Sequence, residues 1–260
     1  MRRLILAACA AAVVLGAVHS ARATYPGANG KIAFSTDQDP NGSVEIYTVD
    51  PNGTGETRLT HGEYGHASDP GWSPDGSKIV FQGDASGSLQ LYVMNGDGSG
   101  GHLLLDDPGN DDVAAAYSPD GSKIAYTSCN GSGCVIKVIG SDGTGAATQL
   151  TSTPWQAFDA AWSPDGKHLI FNDLCCEFGT NIWVMNADGS GQKQITHMPA
   201  KHQDGFARYS PDGKRIVLVA DLDHSDGLGD LYTMDTKGNH MTKIVGDQPG
   251  VFFSDWGTAS

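Results

Sequence analysis

Beyond residues 1–23 this 260-residue chain has no long apolar run, and nowhere does it show the 3.6-residue apolar spacing of amphipathic helices. The first absence leaves no candidate membrane-spanning helix past the N-terminus; the second argues against a helical or α/β fold. Basic residues are scarce, with 16 Lys and Arg against 30 Asp and Glu, for a formal net charge of −14. Phosphate backbones and anionic headgroups repel such a chain, so nucleic acid and membrane surfaces are poor partners. Catalytic signatures are missing too. There is no Gly-x-Ser-x-Gly elbow, no His-Glu-x-x-His pair and no phosphate-cradling loop on a strand-to-helix turn.

What the chain does have is a period. Ser-Pro-Asp-Gly stands at Ser73–Gly76, Ser118–Gly121, Ser163–Gly166 and Ser210–Gly213, at steps of 45, 45 and 47 residues. That spacing is the size of a four-stranded propeller blade. Pro presets the first corner of the turn, Asp bonds nearby backbone, and Gly supplies the positive φ that closes a tight hairpin. An aromatic precedes each copy (Trp72, Tyr117, Trp162, Tyr209) and a short apolar strand follows, as in Lys78–Phe81 or Lys123–Tyr126. A second strand comes next (Leu91–Met94, Ile136–Ile139, Ile182–Met185, Leu231–Met234), then a Gly-rich turn and a third strand such as His102–Leu105 or Thr148–Thr151. Such runs predict an all-β fold.

The ends complete the count. Lys31–Phe34, Glu45–Val49 and Thr57–Thr60 supply three strands of a blade without its first, and Phe252-Phe253-Ser254-Asp255-Trp256-Gly257 reads as the missing strand. The expectation is a single propeller of five four-stranded antiparallel blades over residues 24–260, closed by the C-terminal strand. Closure removes the open sheet edges.

Residues 1–23 read as a cleaved secretory signal: Arg2-Arg3, an apolar stretch from Leu4 to Val18, then Ala21-Arg22-Ala23. Its removal takes three arginines and no acids, moving the formal charge from −14 to −17. The mature chain is expected in the periplasm or outside the cell, as a monomer. There its cysteines, Cys129, Cys134, Cys175 and Cys176, are disulfide candidates, with three possible pairings.

If strands a to d run from the axis to the rim, a–b and c–d turns share one face and are uniform. The b–c and d–a loops share the other and differ from blade to blade, so that face is the expected binding surface. On it, Asp69 and Asp159 stand three residues before their aromatics, and Asp112 and Asp204 five before theirs. Both offsets are odd, which points the four side chains the same way if no bulge intervenes. With His66 and His202 just upstream, they form a candidate binding set at the channel mouth. The plainer reading is that the acids cap turns and tie blades together. Weak calcium candidates are Asp37, Asp39 and Asn41 in one loop and Asp221 and Asp223 in another, both lacking the rest of a calcium loop. No cofactor is expected beyond such a divalent cation.

Aromatic-Ser-Pro-Asp-Gly-x-Lys-Ile, followed by Ile-Trp-Val-Met-Asn-Ala-Asp-Gly-Ser-Gly and a Leu-Thr or Ile-Thr ending, resembles the TolB-type β-propeller repeat. The terminal Asp255-Trp256-Gly257 is similar to that family's closing segment. The resemblance covers the mature chain and implies the propeller fold. Its namesake is a periplasmic protein that binds partners in the cell-envelope Tol-Pal system; related repeats form gating propellers of prolyl oligopeptidase-like enzymes. The residues before Lys31 are too few for the namesake's extra α/β domain, nothing after Trp256 accommodates a hydrolase, and the expected blade count is five rather than six. The expectation is therefore a non-enzymatic exported propeller binding a protein or envelope polymer. The alternative is a small metal-dependent polysaccharide lyase or hydrolase working at the channel mouth.

Overall fold

The computed structural model describes residues 30–37, 42–152, 156–175, 179–197, 204–220, 222 and 230–245. All regular structure among them is β, arranged as a five-bladed propeller. Blade 1 holds β1 (Ile32–Thr36), β2 (Glu45–Val49) and β3 (Thr57–Arg58). Blade 2 holds β4 (Ser68–Trp72), β5 (Lys78–Gly83), β6 (Gln90–Asn95) and β7 (His102–Leu103). Blade 3 holds β8 (Asp111–Tyr117), β9 (Lys123–Asn130), β10 (Gly133–Gly140) and β11 (Thr148–Gln149). Blade 4 holds β12 (Ala157–Trp162), β13 (His168–Cys175), β14 (Gly179–Asn186) and β15 (Lys193–Gln194). Blade 5 holds β16 (Asp204–Tyr209), β17 (Arg215–Ala220), β18 (Asp230–Asp235) and β19 (Thr242–Val245). Each blade is an antiparallel meander in chain order. The first strands of successive blades, β4, β8, β12 and β16, touch one another in sequence, which puts them innermost. The expected closing strand, residues 252–256, lies outside the described residues.

The repeated turn works as its composition predicts. Ser73 Oγ donates to Asp75 Oδ1 (2.7 Å), which also accepts the Ser77 N–H (3.0 Å), while Lys78 N–H donates back to Ser73 Oγ (2.9 Å). Gly76, at φ 69°, closes the turn, and its N–H reaches Ser73 O. The same bonds recur at Ser118, Ser163 and Ser210. Around the ring the turns stack: a Cβ on Gly121 would meet Pro74, one on Gly166 would meet Pro119, and one on Gly213 would meet Pro164.

The core is a set of seams between blades. Period-two alternation sends one face of each sheet to each neighbour. Ile124 and Tyr126 pack into the seam between blades 2 and 3, and Ala125 between them on β9 packs into the seam between blades 3 and 4. The aromatics before the turns belong to these seams. Tyr117 and Trp162 are buried there, and Trp162 Nε1 donates across to Ala116 O of blade 3 (3.2 Å). Trp72 occupies the same position in blade 2, facing blade 1; its Nε1 is buried with no acceptor among the described residues.

The outer strands are shorter than expected, two residues rather than four in blades 1 to 4. A side chain replaces the next rung. Thr60, Thr151 and Thr196 each accept, on Oγ1, the backbone N–H of Ile46, Ile136 or Ile182. This is the physical use of the Leu-Thr ending: the hydroxyl satisfies a buried donor that the departing strand no longer reaches. Among the described residues no helix is long and apolar enough to cross a membrane.

Candidate functional site

The candidate acids sit where the innermost strands meet the variable face, and each of those strands carries a bulge there. Pairing with the second strand shifts register between Ser68 and Gly71, Val113 and Ala116, Phe158 and Ala161, and Gly205 and Arg208. Asp69, Ala114, Asp159 and Phe206, each three residues before its aromatic, adopt φ between 54° and 56°. A non-Gly residue in that region is uncommon, and four at one repeat position mark a built feature. The bulge falls between the two offsets, so the alternation that would point Asp69 and Asp159 along with Asp112 and Asp204 does not hold. The four acids form two kinds of site.

The bulge residues are held by the neighbouring blade. Ala114 N–H donates to Gln82 Oε1 (3.2 Å) and Asp159 N–H to Thr127 Oγ1 (3.0 Å), each acceptor lying on the second strand of the preceding blade. The Asp159 carboxylate reaches the other way. Arg208 of blade 5 grips it through Nη2–Oδ1 (2.8 Å) and Nη1–Oδ2 (3.0 Å). Both side chains are nearly buried, 7% and 11% exposed, so this bidentate pair is a desolvated strap across the seam between blades 4 and 5.

Asp112 and Asp204 stand deeper, where blades 2 and 4 have Ala67 and Ala157, and all four positions are buried. Asp112 N–H donates to Leu89 O of blade 2 (2.8 Å). Burial pushes its carboxyl up to about 6, with Ser128 partly offsetting the rise. Asp204 is tied to blade 4: Thr196 Oγ1 donates to Asp204 Oδ2 (2.5 Å), and Asp204 N–H donates to Thr180 Oγ1 (2.9 Å). Its Oδ1 is buried with no partner among the described residues, and burial pushes the group up to about 7.

His66 lies in the loop from blade 1 to blade 2. Its N–H donates to Asp84 Oδ1 (2.7 Å) and its Nδ1 accepts Val44 N–H (3.1 Å), joining the two blades. Asp37 is exposed at the end of β1. His202, Asp39, Asn41, Asp221, Asp223, Cys176 and the Cys175 side chain lie outside the described residues. Cys129 and Cys134 face each other across β9 and β10 and are bonded, with S–S 2.06 Å. Among the described residues no three of His, Cys, Asp and Glu gather where one metal ion would bind.

Sequence reasoning missed Arg208 and the buried Glu45 network. Arg208 had a signal, because the equivalent positions hold Gly71, Ala116 and Ala161. Glu45, fully buried, accepts from Arg58 Nη2 (2.9 Å), Thr60 Oγ1 (2.5 Å) and Ser43 Oγ (2.8 Å).

Comparison with known proteins gives the same architecture. A putative TolB from Agrobacterium tumefaciens superposes with a TM-score of 0.72 at 21% identity, over 86% of this chain and 80% of that one. TolB from Acinetobacter baumannii superposes at 0.68 with 21% identity, over 84% of this chain, which spans only 52% of that protein. An oligogalacturonate lyase in complex with manganese superposes at 0.63 with 15% identity, over 85% of this chain and 64% of that one. At these identities the likeness is one of fold. No curated protein matches in sequence. The family model described as the TolB beta propeller domain matches residues 107–249, more than half of the chain. With its repeated turn, meander blades and seam aromatics, this chain belongs to the TolB β-propeller domain family.

Proposed function

We propose that the mature chain is an exported, non-enzymatic propeller that binds a protein or cell-envelope partner through the face carrying its b–c and d–a loops. One observation carries the reading: the acids nearest the axis are engaged in holding blades together. Asp159 is clamped by Arg208, Asp204 is bonded to Thr196, and Asp112 bonds Leu89 O of blade 2 through its backbone N–H. The loops above them differ in length and composition from blade to blade, as recognition loops on a rigid scaffold do. The Cys129–Cys134 disulfide suits an oxidising compartment and supports export.

Biotinylated residues 24–260 test this by capture from envelope extract, beside a variant with two exposed loop-face acids reversed, Glu63→Lys with Asp106→Lys. The expected result is one stoichiometric partner, lost by the variant at unchanged Tm. Capture indifferent to both reversals would sink the reading. So would metal-dependent cleavage of oligogalacturonate abolished by Asp159→Asn, which would install the lyase alternative.

A further inference from the structure

The outer rim repeats a small cleft where the c–d turn of one blade leans on the last strand of the blade before it. The contact is the same each time: Gly98 sits over Leu59 O, Gly143 over Leu104 O, Gly189 over Leu150 O and Gly238 over Ile195 O. Two positions flank each contact. The turn residue before the glycine is Asp97, Asp142 or Asp188 in blades 2 to 4, and Lys237 in blade 5. The facing strand begins at Thr57, His102 or Thr148 in the first three clefts, and at Lys193 in the fourth. Three clefts thus present an acid, and the fourth presents two lysines, in a chain where acids outnumber bases 30 to 16.

The turn itself does not need this reversal. In blades 2 to 4 the aspartate caps its own turn, accepting Ser99, Thr144 or Ser190 N–H on Oδ1 at 2.9, 3.0 and 2.9 Å. In blade 5 that work has moved to Asp235, whose Oδ1 accepts both Lys237 N–H and Asn239 N–H at 2.9 Å. Position 237 is thereby released from the turn. Neither Lys193 nor Lys237 has an ion-pair partner among the described residues, whereas Arg58, Lys137, Arg208 and Lys243 all do. Both lysines line one cavity of about 440 Å³, with Asn239 beside them and Ile195, Leu222 and Met241 as an apolar floor.

We infer that this cleft between blades 4 and 5 binds an acidic peptide segment, one carboxylate held between Lys193 and Lys237 and a neighbouring aliphatic side chain on the floor. The ammonium groups supply charge-assisted hydrogen bonds to the carboxylate. The described wall carries one ring, the exposed imidazole of His197, and its aliphatic floor matches Leu or Ile. The backbone also fits, because β15 is the last strand of its sheet and no described strand pairs with its outer side. Leu222 comes from the b–c loop of blade 5, but Lys193 and Lys237 are remote in sequence from the acids reversed above, Glu63 and Asp106 in the loops after blades 1 and 2, so the two tests fail separately.

The test is fluorescence anisotropy with a fluorescein-labelled peptide of three Glu-Leu repeats, against a Lys-Leu control. The comparison variant is Lys193→Thr with Lys237→Asp, which imports residues that the cleft between blades 3 and 4 already tolerates; the milder Lys193→Gln with Lys237→Gln guards against misfolding. The expected result is weak, salt-sensitive binding of the acidic peptide only, weakened about tenfold by either variant at unchanged Tm, the loss anticipated from two exposed charge pairs. No binding, or binding indifferent to both variants, would overturn the proposal. So would hexagalacturonate binding more tightly than the peptide and losing affinity in the same variants, which would make the occupant a glycan.

Discussion

Arg208→Ala should lower the unfolding free energy by about 3–5 kcal/mol, the range found when one partner of a buried ion pair is removed. The guanidinium neutralises a carboxylate that is only 7% exposed, and without it Asp159 loses two charge-assisted hydrogen bonds in a seam with little water. The cost comes from leaving a desolvated carboxylate without this bidentate grip more than from the lost attraction. Asp159→Ala combined with Arg208→Ala should therefore recover at least 1 kcal/mol of what the single change loses, of the order of coupling energies between contacting residues. That double variant recreates the preceding seam, where Ala114 holds the same left-handed position and Ala161 replaces the arginine. Urea unfolding of wild type, both single variants and the double gives the cycle. A double variant no more stable than Arg208→Ala would show that the strap is not what the arginine is for.

Stability should fall as pH rises from about 5 to 8. Asp204 is raised to about 7, so between the ordinary aspartate range and that value the folded chain holds a proton that the unfolded chain has released. Its stabilising contribution is complete at low pH and is lost as pH climbs through 7. A shift of this size corresponds to at most roughly 4 kcal/mol. Asp112, raised to about 6, adds to the decline at lower pH. The turn aspartates act in the opposite sense. Serine and backbone donors lower Asp75 and Asp120 to about 2, so what they contribute is present above the ordinary aspartate range and lost as pH falls through 2. The two groups together place the stability maximum near pH 4–5, between the windows set by these shifts. Asp204→Asn, which keeps an oxygen for Thr196, should flatten the decline toward pH 8. A wild type as stable at pH 8 as at pH 5 would contradict the assignment.

The blades were legible because Ser-Pro-Asp-Gly is local chemistry: each residue closes the turn by contacts within five positions, so its repetition reports the architecture directly. The strand after each turn was equally plain, since Ile79, Ile124, Leu169 and Ile216 fill equivalent buried positions. The site was less legible for two physical reasons. The bulge is imposed by the preceding blade, through side chains such as Gln82 and Thr127. It falls on Asp, Ala, Asp and Phe, which share no propensity for positive φ. The outer strands end early because a threonine hydroxyl takes over a backbone rung, an exchange that apolar patterning does not register. The substitutions that break the repeat were visible as Arg208, Lys193 and Lys237, but their meaning needed the seams.

Separating scaffold from chemistry at the axis comes down to reading Tm and partner capture together on Asp159→Asn and on Asp204→Ala, which removes the oxygen that Thr196 bonds. If these acids fasten blade to blade, both variants melt earlier than the parent yet retain the captured protein. Unchanged melting with capture abolished would make them recognition residues and undo the structural account.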